Sequence, residues 1–198
     1  LSNPNGYKFY QAKPSPSTGG NNVDARHVAC WVQGMYDPNT GNRLLMIPPE
    51  EIASVRLGNQ NAGSQAERIT YEFDVQDDLV LLMKYAVVLE NPGHGDAYDP
   101  YFGLEAFFSP SKDPEEWNHY TPSLGVRFVW KDWTTIGIDL RKYKGQKVKI
   151  QLTTQDCTLG KHGGYAYFTL DCISATISSE GCDTVSLEAP SGFKYYWY

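Results

Sequence analysis

Short apolar segments recur along most of this sequence, separated by glycine, proline, asparagine and aspartate, and no segment keeps a helical period. Residues 68–75 show the pattern most clearly. There, four apolar side chains alternate with polar ones: Ile69, Tyr71, Phe73 and Val75. An alternation of period two places successive side chains on opposite faces of a half-buried strand. The sequence therefore predicts that strands, and not helices, are the building units of the fold.

Residues 79–89 form a more continuous apolar run, which Lys84 interrupts. Such a run predicts a strand that is covered on both faces. Other strand candidates are residues 31–36, 44–47, 104–108, 126–130, 134–140, 148–154 and 165–173, and residues 48–53 suit the start of one helical turn. About eight to ten short strands with turn clusters between them predict an all-β fold, a two-sheet, jelly-roll-like β-sandwich with essentially no helix.

Composition narrows the classes of partner. The chain has 198 residues and a formal net charge of −6, and no basic run or stripe is visible. The electrostatic footprint of a nucleic-acid-binding protein is therefore missing, and we expect no nucleic-acid partner. The longest apolar run is shorter than the roughly 18–20 residues that span a bilayer, so no transmembrane segment is predicted.

The domain organisation follows from shifts in composition. Residues 1–22 are rich in proline, serine, glycine and asparagine, which predicts a flexible linker or arm. Residues 23–177 hold the strand candidates of the sandwich. Residues 178–198 contain two more strand candidates, at 184–188 and 193–198, and a very aromatic end. We interpret them as the start of a truncated immunoglobulin-like module, with a closing strand of the sandwich as the alternative.

Four cysteines permit three fully paired connectivities: Cys30, Cys157, Cys172 and Cys182. Their spacing contains no C-x-x-C and matches no zinc motif. We interpret them as disulfide candidates in an exported protein, with buried free thiols as the alternative. The four histidines also lack metal-ligand spacing and are expected in loops or on the surface: His27, His94, His119 and His162.

Catalysis has little support in the sequence. There is no G-x-S-x-G motif, and no cysteine lies in the setting of a known hydrolase. A glycoside hydrolase would need a pair of acidic residues, for which the chain offers Glu67, Glu72, Glu90, Glu105, Asp156 and Asp171. Acidic residues are ordinary on the solvent face of a sandwich, so we predict that the chain is not an enzyme and keep glycoside hydrolysis as the weakest alternative.

Two acidic loops suggest calcium as the candidate cofactor, because hard cations take oxygen ligands from carboxylates and loop carbonyls. The candidate ligands are Asp96 and Asp99 in one loop, and Asp156 with Asp171 beyond it in the other. Neither loop has the spacing of an EF-hand. The alternative is a pair of solvated acidic turns.

Aromatic residues outside the strand candidates suggest a sugar-binding surface, since flat rings stack on the apolar faces of pyranose rings. The candidate ligand-binding residues are Trp117, Tyr98, Tyr101 and Tyr120. The alternative for any of them is burial in the core. Trp130 and Trp133 are further aromatic candidates, and we expect each of them to be at least half-buried in the core.

Several motifs occur in the order found in one protein family: residues 54–59 (SVRLGN), 66–71 (AERITY), 85–94 (YAVVLENPGH), 133–140 (WTTIGIDL), 153–157 (TTQDC) and 164–167 (GYAY). The chain resembles the β-sandwich domain of large Bacteroidetes surface proteins, which occurs beside PKD-type or immunoglobulin-like repeats and gliding-motility-associated domains. One loop departs from the family pattern. Residues 160–167 read GKHGGYAY, without the aromatic residue that the family tends to carry after the histidine.

The resemblance implies export, through a type IX secretion route, and display at the cell surface. It implies a role in adhesion, gliding or polymer binding, and it carries over no catalytic residue. The predicted function is therefore a non-catalytic extracellular adhesion module of a multidomain protein, with surface glycan as the candidate ligand. The alternative is a purely structural unit, or one that binds other surface proteins.

Overall fold

The computed structural model describes residues 8–9, 26–76, 79–94, 98–108, 115–120, 127–174, 176–179 and 185–188. Within these residues the chain is almost entirely β. Twelve strands follow in order: β1 Lys8–Phe9, β2 His27–Cys30, β3 Ser54–Asn59, β4 Gln65–Asp74, β5 Leu79–Glu90, β6 Tyr101–Phe108, β7 Glu115–Tyr120, β8 Phe128–Asp139, β9 Lys147–Gln155, β10 Gly164–Ser174, β11 Thr176–Ser179 and β12 Val185–Glu188. The only helical elements described are two 3₁₀ turns, Pro38–Thr40 and Arg141–Tyr143.

Two five-stranded sheets form the body of the molecule. The first sheet has the order β1-β4-β9-β6-β7 and the second has the order β2-β3-β10-β5-β8. Strand pairing is antiparallel in both sheets, apart from a two-residue parallel pairing of β1 with β4. The predicted two-sheet β-sandwich is confirmed.

The main hydrophobic core lies between the two sheets. Side chains at alternate positions of the central strands fill it, and most are fully buried: Leu81, Met83, Tyr85, Val87, Leu89, Phe102, Leu104, Ala106, Val148, Ile150 and Leu152. The stacked rings of Tyr85 and Phe102 lie 5.2 Å apart and join the two sheets. Burial of these apolar side chains drives the two sheets together, with each Val, Leu, Ile, Phe or Met side chain worth about 1.5–3 kcal/mol.

A second hydrophobic core covers the outer face of the second sheet. We call this surface the covered face and define it by Val28, Cys30, Ala86, Val88, Tyr165 and Tyr167. Residues 31–50 fold over it and contribute the buried side chains of Leu44, Met46 and Ile47. The prediction that residues 79–89 are buried on both faces is therefore confirmed for residues 85–89, which supply side chains to both cores, whereas Val80, Leu82 and Lys84 are half-buried.

The segment that covers the second sheet differs from its predicted form. The expected strands at 31–36 and 44–47 are absent from the described chain, where a single bridge joins Tyr36 to Leu45. The predicted turn between them is confirmed as a 3₁₀ turn. Asp37 caps it by accepting from the amide of Asn39 at 2.9 Å. Residues 48–53 do not form the expected helical turn, since the amide of Glu51 makes a simple turn bond to Pro48.

The strand candidates at 126–130 and 134–140 form one strand, β8. A bulge lies between them, where the pairing shifts from Tyr85–Thr134 to Val87–Lys131. The bulge lies beside the covered face, and the indole of Trp133 donates to the carbonyl of Leu45 at 2.7 Å. Trp130 and Trp133 are both half-buried against the second core, as expected.

Strand β4 lies near the edge of the first sheet, and the apolar side chains on its core side are less buried than those of the central strands. Ile69 and Tyr71 pair with the core residues Leu152 and Ile150, so they face the core side as predicted. They nevertheless remain 39% and 46% exposed. β4 has ten residues whereas β3, which lies nearest to it in the second sheet, has six. We attribute the exposure to this difference in length.

The predicted domain boundaries at 22 and 177 stay predictions. Lys8 and Phe9, within the predicted linker, pair with the start of β4. Strands β11 and β12 pair with each other in a separate two-stranded sheet, and the strand candidate at 193–198 lies outside the described residues. In the described part of the chain, no helix has the length and hydropathy needed to span a membrane.

Candidate functional site

The outer face of the first sheet carries rows of polar side chains across β4, β9 and β6. In one row the register pairs Thr70 with Gln151, and Gln151 with Glu105. The Gln151 amide donates to Glu105 Oε2 at 3.2 Å, and its oxygen accepts from the Thr70 hydroxyl at 3.5 Å. These bonds hold an amide and a carboxylate side by side on the sheet surface.

The neighbouring row contains Arg68, Thr153 and Gly103. Arg68 Nε donates to Thr153 Oγ1 at 3.0 Å. Gly103 has no side chain, and the ring of Tyr101 from the same strand lies over it. A Cβ atom at Gly103 would be only 3.3 Å from Tyr101 Cε2. The half-buried Tyr101 ring therefore lies against the sheet, next to both polar rows.

We call this surface the open face and define it by Arg68, Thr70, Glu72, Tyr101, Glu105, Lys149 and Gln151. Arg68, Thr70 and Glu72 are exposed, and the other four are half-buried. An aromatic ring beside planar hydrogen-bonding groups can bind a ligand that is apolar on one side and hydroxylated at its edge. The two cationic and two anionic side chains of the face balance, so it suits an uncharged ligand.

The structure describes the side chains of two of the four predicted sugar-binding residues. Tyr101 lies on the open face, whereas Tyr98 lies in the loop between β5 and β6 with 51% of its surface exposed. Tyr120 pairs with Phe102 across β7 and β6, and Trp117 falls at a bulge between the paired residues Glu116 and Asn118. The positions of the Trp117 and Tyr120 side chains lie outside the described part of the chain.

The loop after β5 and the loop after β9 meet at one end of the sandwich. The amide of Thr158 donates to the carbonyl of Tyr98 at 3.0 Å. Glu90 and Gly163 exchange two bonds, since the Glu90 amide donates to Gly163 O at 3.0 Å and the Gly163 amide donates to Glu90 Oε2 at 2.9 Å. The register that pairs Leu89 with Gly164 brings the loops together.

Asp156 ties this loop end to the two sheets. Its carboxyl oxygens accept from the amide of Gln65 at 3.1 Å and from the amide of Gly164 at 3.3 Å. Burial raises the pKa of the Asp156 carboxyl to about 7, and the charge of Glu67 adds to the rise. Burial also raises the pKa of Glu67, against a 2.9 Å ion pair with Arg26.

Coupled acidic residues with raised pKa values are one signature of acid–base catalysis. In this pair, however, each side chain is only 2% exposed. Both oxygens of Asp156 already accept backbone amides, so the pair has no room for a glycosidic bond. We interpret Asp156 and Glu67 as a structural connection between the loop and the sheets.

The three calcium candidates that the structure describes, Asp99, Asp156 and Asp171, do not form one site. Asp99 is buried, and its Oδ1 accepts from the amide of His94 at 3.2 Å. Asp171 is exposed on β10, seven residues beyond the Gly164 amide that Asp156 binds. At about 3.4 Å per residue that separation is roughly 24 Å, so Asp156 and Asp171 cannot share an ion. Asp96 lies outside the described residues, and a calcium site in its loop stays a prediction.

Two of the four disulfide candidates are free thiols in this structure. Cys30 is buried on the covered face, and Cys157 is buried at the loop end. Burial raises the pKa of the Cys30 thiol. The side chain of Cys172 and the whole of Cys182 lie outside the described residues, so a bridge between them stays a prediction.

Three residues that lack metal-ligand spacing in the sequence come together in space: His94, Cys157 and His162. One ligand atom from each lies within 4.8 Å of the others. Cys157 Sγ is 3.6 Å from His94 Nδ1, and the two imidazole rings are 5.2 Å apart in an edge-on arrangement. Both histidines lie in loops, as predicted, and the spacing of ligands along the sequence gave no sign that they lie together in space. Only the strand register, which spacing does not reveal, places their loops side by side.

No protein-family model matches this chain, and no curated protein matches it. Among solved structures, the chain is similar to TmCBM61 in complex with β-1,4-galactotriose. The sequence identity is 9% and the TM-score is 0.43, with 75% of this chain and 82% of that chain covered. A likeness this distant carries no inference about the ligand of this chain.

Proposed function

We propose that this chain is a non-catalytic, extracellular binding module of a multidomain cell-surface protein, and that it binds glycan on the open face. The observation that carries this proposal is the Tyr101 ring over Gly103, beside the bonded amide and carboxylate of Gln151 and Glu105. Export through a type IX route and a role in adhesion or gliding belong to the same proposal, and rest on the resemblance of the sequence motifs.

The geometry of the open face suits an extended, uncharged polysaccharide. The Tyr101 ring offers an apolar surface against which a pyranose ring can stack. Arg68, Gln151 and Glu105 offer donors and acceptors for its hydroxyl groups, and hydrogen bonds already fix the positions of all three. Preorganised polar groups bind with a smaller entropic cost than mobile ones. Because the charges of the face balance, we expect binding to depend little on salt.

A broad array of neutral and acidic oligosaccharides, followed by calorimetry on the strongest neutral probe, tests the proposal. We expect Tyr101→Ala to weaken binding at least about tenfold, the equivalent of about 1.4 kcal/mol. Tyr36→Ala is the matched control, because Tyr36 is also an exposed tyrosine but belongs to the segment that covers the second sheet. Parallel measurements with calcium and with a chelator show whether sugar binding depends on the ion.

Two results would overturn the proposal. One is the absence of binding across the whole array. The other is an equal loss of affinity in the Tyr36→Ala and Tyr101→Ala variants, which would mean that the open face has no special role.

A second candidate function is protein binding at the edge of the first sheet. Ile69 and Tyr71 are exposed there, and the Tyr71 ring stacks on Phe73 at 5.1 Å. Exposed apolar side chains beside a strand edge are typical of surfaces that bind another chain. Tyr71→Lys distinguishes the two functions, since it should leave glycan binding unchanged and should abolish any association through this edge.

A further inference from the structure

We propose that His94, Cys157 and His162 form a binding site for a divalent transition-metal ion, with zinc as the favoured metal. The site lies at the loop end of the sandwich and is separate from the open face proposed to bind glycan. Two imidazoles and a thiolate are ligands of zinc and its neighbours in the first transition series, whereas calcium takes oxygen ligands. The proposal therefore differs from the calcium site predicted from the acidic residues.

The separation of the first two ligands already matches metal coordination. An ion about 2.3 Å from sulfur and 2.0–2.1 Å from nitrogen, with a tetrahedral angle between them, places those ligands about 3.6 Å apart. Cys157 Sγ and His94 Nδ1 are 3.6 Å apart. All three ligand atoms lie within 4.8 Å, so a side-chain movement on the order of 1 Å completes the set.

Hydrogen bonds fix both loops that carry the ligands. The Cys157 amide donates to the carbonyl of His162 at 2.9 Å, and the Gly160 amide donates back to the carbonyl of Cys157 at 2.9 Å. Gly160 has a φ of +73°, which favours glycine and closes the turn. The amide of His94 donates to the buried carboxylate of Asp99 at 3.2 Å. The three ligands are therefore held near each other before any ion binds.

A thiol–imidazole hydrogen bond between Cys157 and His94 would explain their 3.6 Å contact by itself, but it would not involve His162. His162 Nδ1 is buried, and among the described residues it has no hydrogen-bond partner. A buried polar atom without a partner costs about 1–3 kcal/mol. An ion held by Cys157 and His94 would give the His162 ring a partner, so a metal site accounts for all three residues.

The burial of the ligands indicates the role of the ion. Cys157 is fully buried, whereas His94 is exposed. A metal can therefore enter from the His94 side, and three protein ligands leave a fourth position for water or another ligand. The ion would join the loop after β5 to the loop after β9, so we expect it to stabilise the loop end of the sandwich.

Titration of the reduced, full-length chain with Co²⁺ and Zn²⁺ tests the site. We expect one Co²⁺ per chain, with the strong visible bands of tetrahedral cobalt and a thiolate-to-cobalt charge-transfer band. Zn²⁺ should displace it, with a Kd tighter than roughly 10 μM. Cys157→Ser should abolish the charge-transfer band. His94→Gln, at an exposed position, should weaken Zn²⁺ binding by at least roughly 10-fold, since the loss of a direct ligand costs no less than the loss of an outer-shell partner.

Cys30→Ser is the matched control, since Cys30 is the other buried free thiol and should leave metal binding unchanged. The wild-type spectrum is decisive even if a variant fails to fold. Absence of the charge-transfer band in the wild type would overturn the proposal. So would Zn²⁺ binding that is unchanged in folded His94→Gln protein, or that is lost in Cys30→Ser. The chelator series of the glycan array tests sugar binding without metal, so its failure would leave the metal result unaffected.

Discussion

The outer faces of the two sheets are made by similar antiparallel strands, but one face is covered by another segment of the chain and the other is exposed. On the second sheet, residues 31–50 cover Ala86, Val88, Tyr165 and Tyr167 and create a second hydrophobic core. On the first sheet, Arg68, Thr70 and Glu72 remain exposed. One outer face therefore contributes to stability, while the other keeps polar side chains at the surface.

The covered face shows why aromatic residues alone do not identify a binding surface. The hydroxyls of Tyr165 and Tyr167 both donate to Asp37 Oδ2, at 2.8 and 2.7 Å. The Arg56 guanidinium lies 5.4 Å from the centre of the Tyr165 ring. These polar groups have partners inside the protein, so they fasten the covering segment instead of binding a ligand. Tyr101 differs because its ring lies at a surface that no described segment covers.

The largest change in stability is expected from substituting Asp37, which binds the covering segment to the covered face. Asp37→Ala removes the acceptor of two buried hydroxyls, and we expect it to lower the free energy of unfolding by about 3 kcal/mol. Thr70→Ala on the open face is the control and should change it by less than about 0.5 kcal/mol. Chemical denaturation measures both. Equal effects of the two variants would contradict the distinction between the faces.

Alkaline pH should lower the stability of the covered face, and we expect this change to be smaller than that of Asp37→Ala. Burial, with the charge of Asp37, raises the pKa of Tyr165 and that of Tyr167 well above the usual value. The folded state keeps these protons, while the unfolded chain releases them near pH 10. Stability should therefore be complete below about pH 10 and fall above it. Free energies of unfolding from pH 7 to 11 measure this fall.

The double variant Tyr165→Phe, Tyr167→Phe is the control for the pH experiment. It should be less stable than the wild type at pH 7, because Asp37 loses two donors, but its stability should fall less above pH 10. In the native state the two proteins should show the same tyrosinate absorbance up to about pH 11. An additional tyrosinate signal from the wild type near pH 10 would mean that the covering segment opens.

The smallest expected change in stability belongs to Gln151→Ala on the open face. Among the described residues its side chain bonds to Glu105 and Thr70 on the same surface, so we expect the free energy of unfolding to change by no more than about 0.5 kcal/mol. Affinity for the strongest array probe should nevertheless fall several-fold. A stability loss above about 1 kcal/mol would instead identify the polar rows as part of the scaffold.

The fold was predictable where a local pattern decides it. The alternation of residues 68–75 and the apolar run at 79–89 both became strands with the expected faces. Residues 31–36 have strand-like composition but adopt no strand, because tertiary contacts around Asp37 determine their path. The exposure of Tyr71 was not predictable from the pattern of β4. We attribute it to the shorter length of β3, which lies in the other sheet.

The candidate sites were less predictable, because they depend on register. Tyr101 was identified from its aromatic character, but the polar row beside it required the pairing of Gln151 with Glu105. His94 and His162 are 68 positions apart in the chain, and only the pairing of β5 with β10 brings them to Cys157. Zinc motifs are recognised from closely spaced pairs of ligands, so they do not detect His94, which is 63 positions from Cys157.

Backbone NMR of the full-length chain, titrated with the oligosaccharide that binds most strongly on the array, tests the distinction between the faces most directly. We predict that the amide signals that shift most belong to β4, β9 and β6, around Arg68, Gln151 and Tyr101, while those of residues 31–50 do not move. Shifts concentrated on residues 31–50, or spread evenly over both faces, would contradict the assignment of ligand binding to the open face.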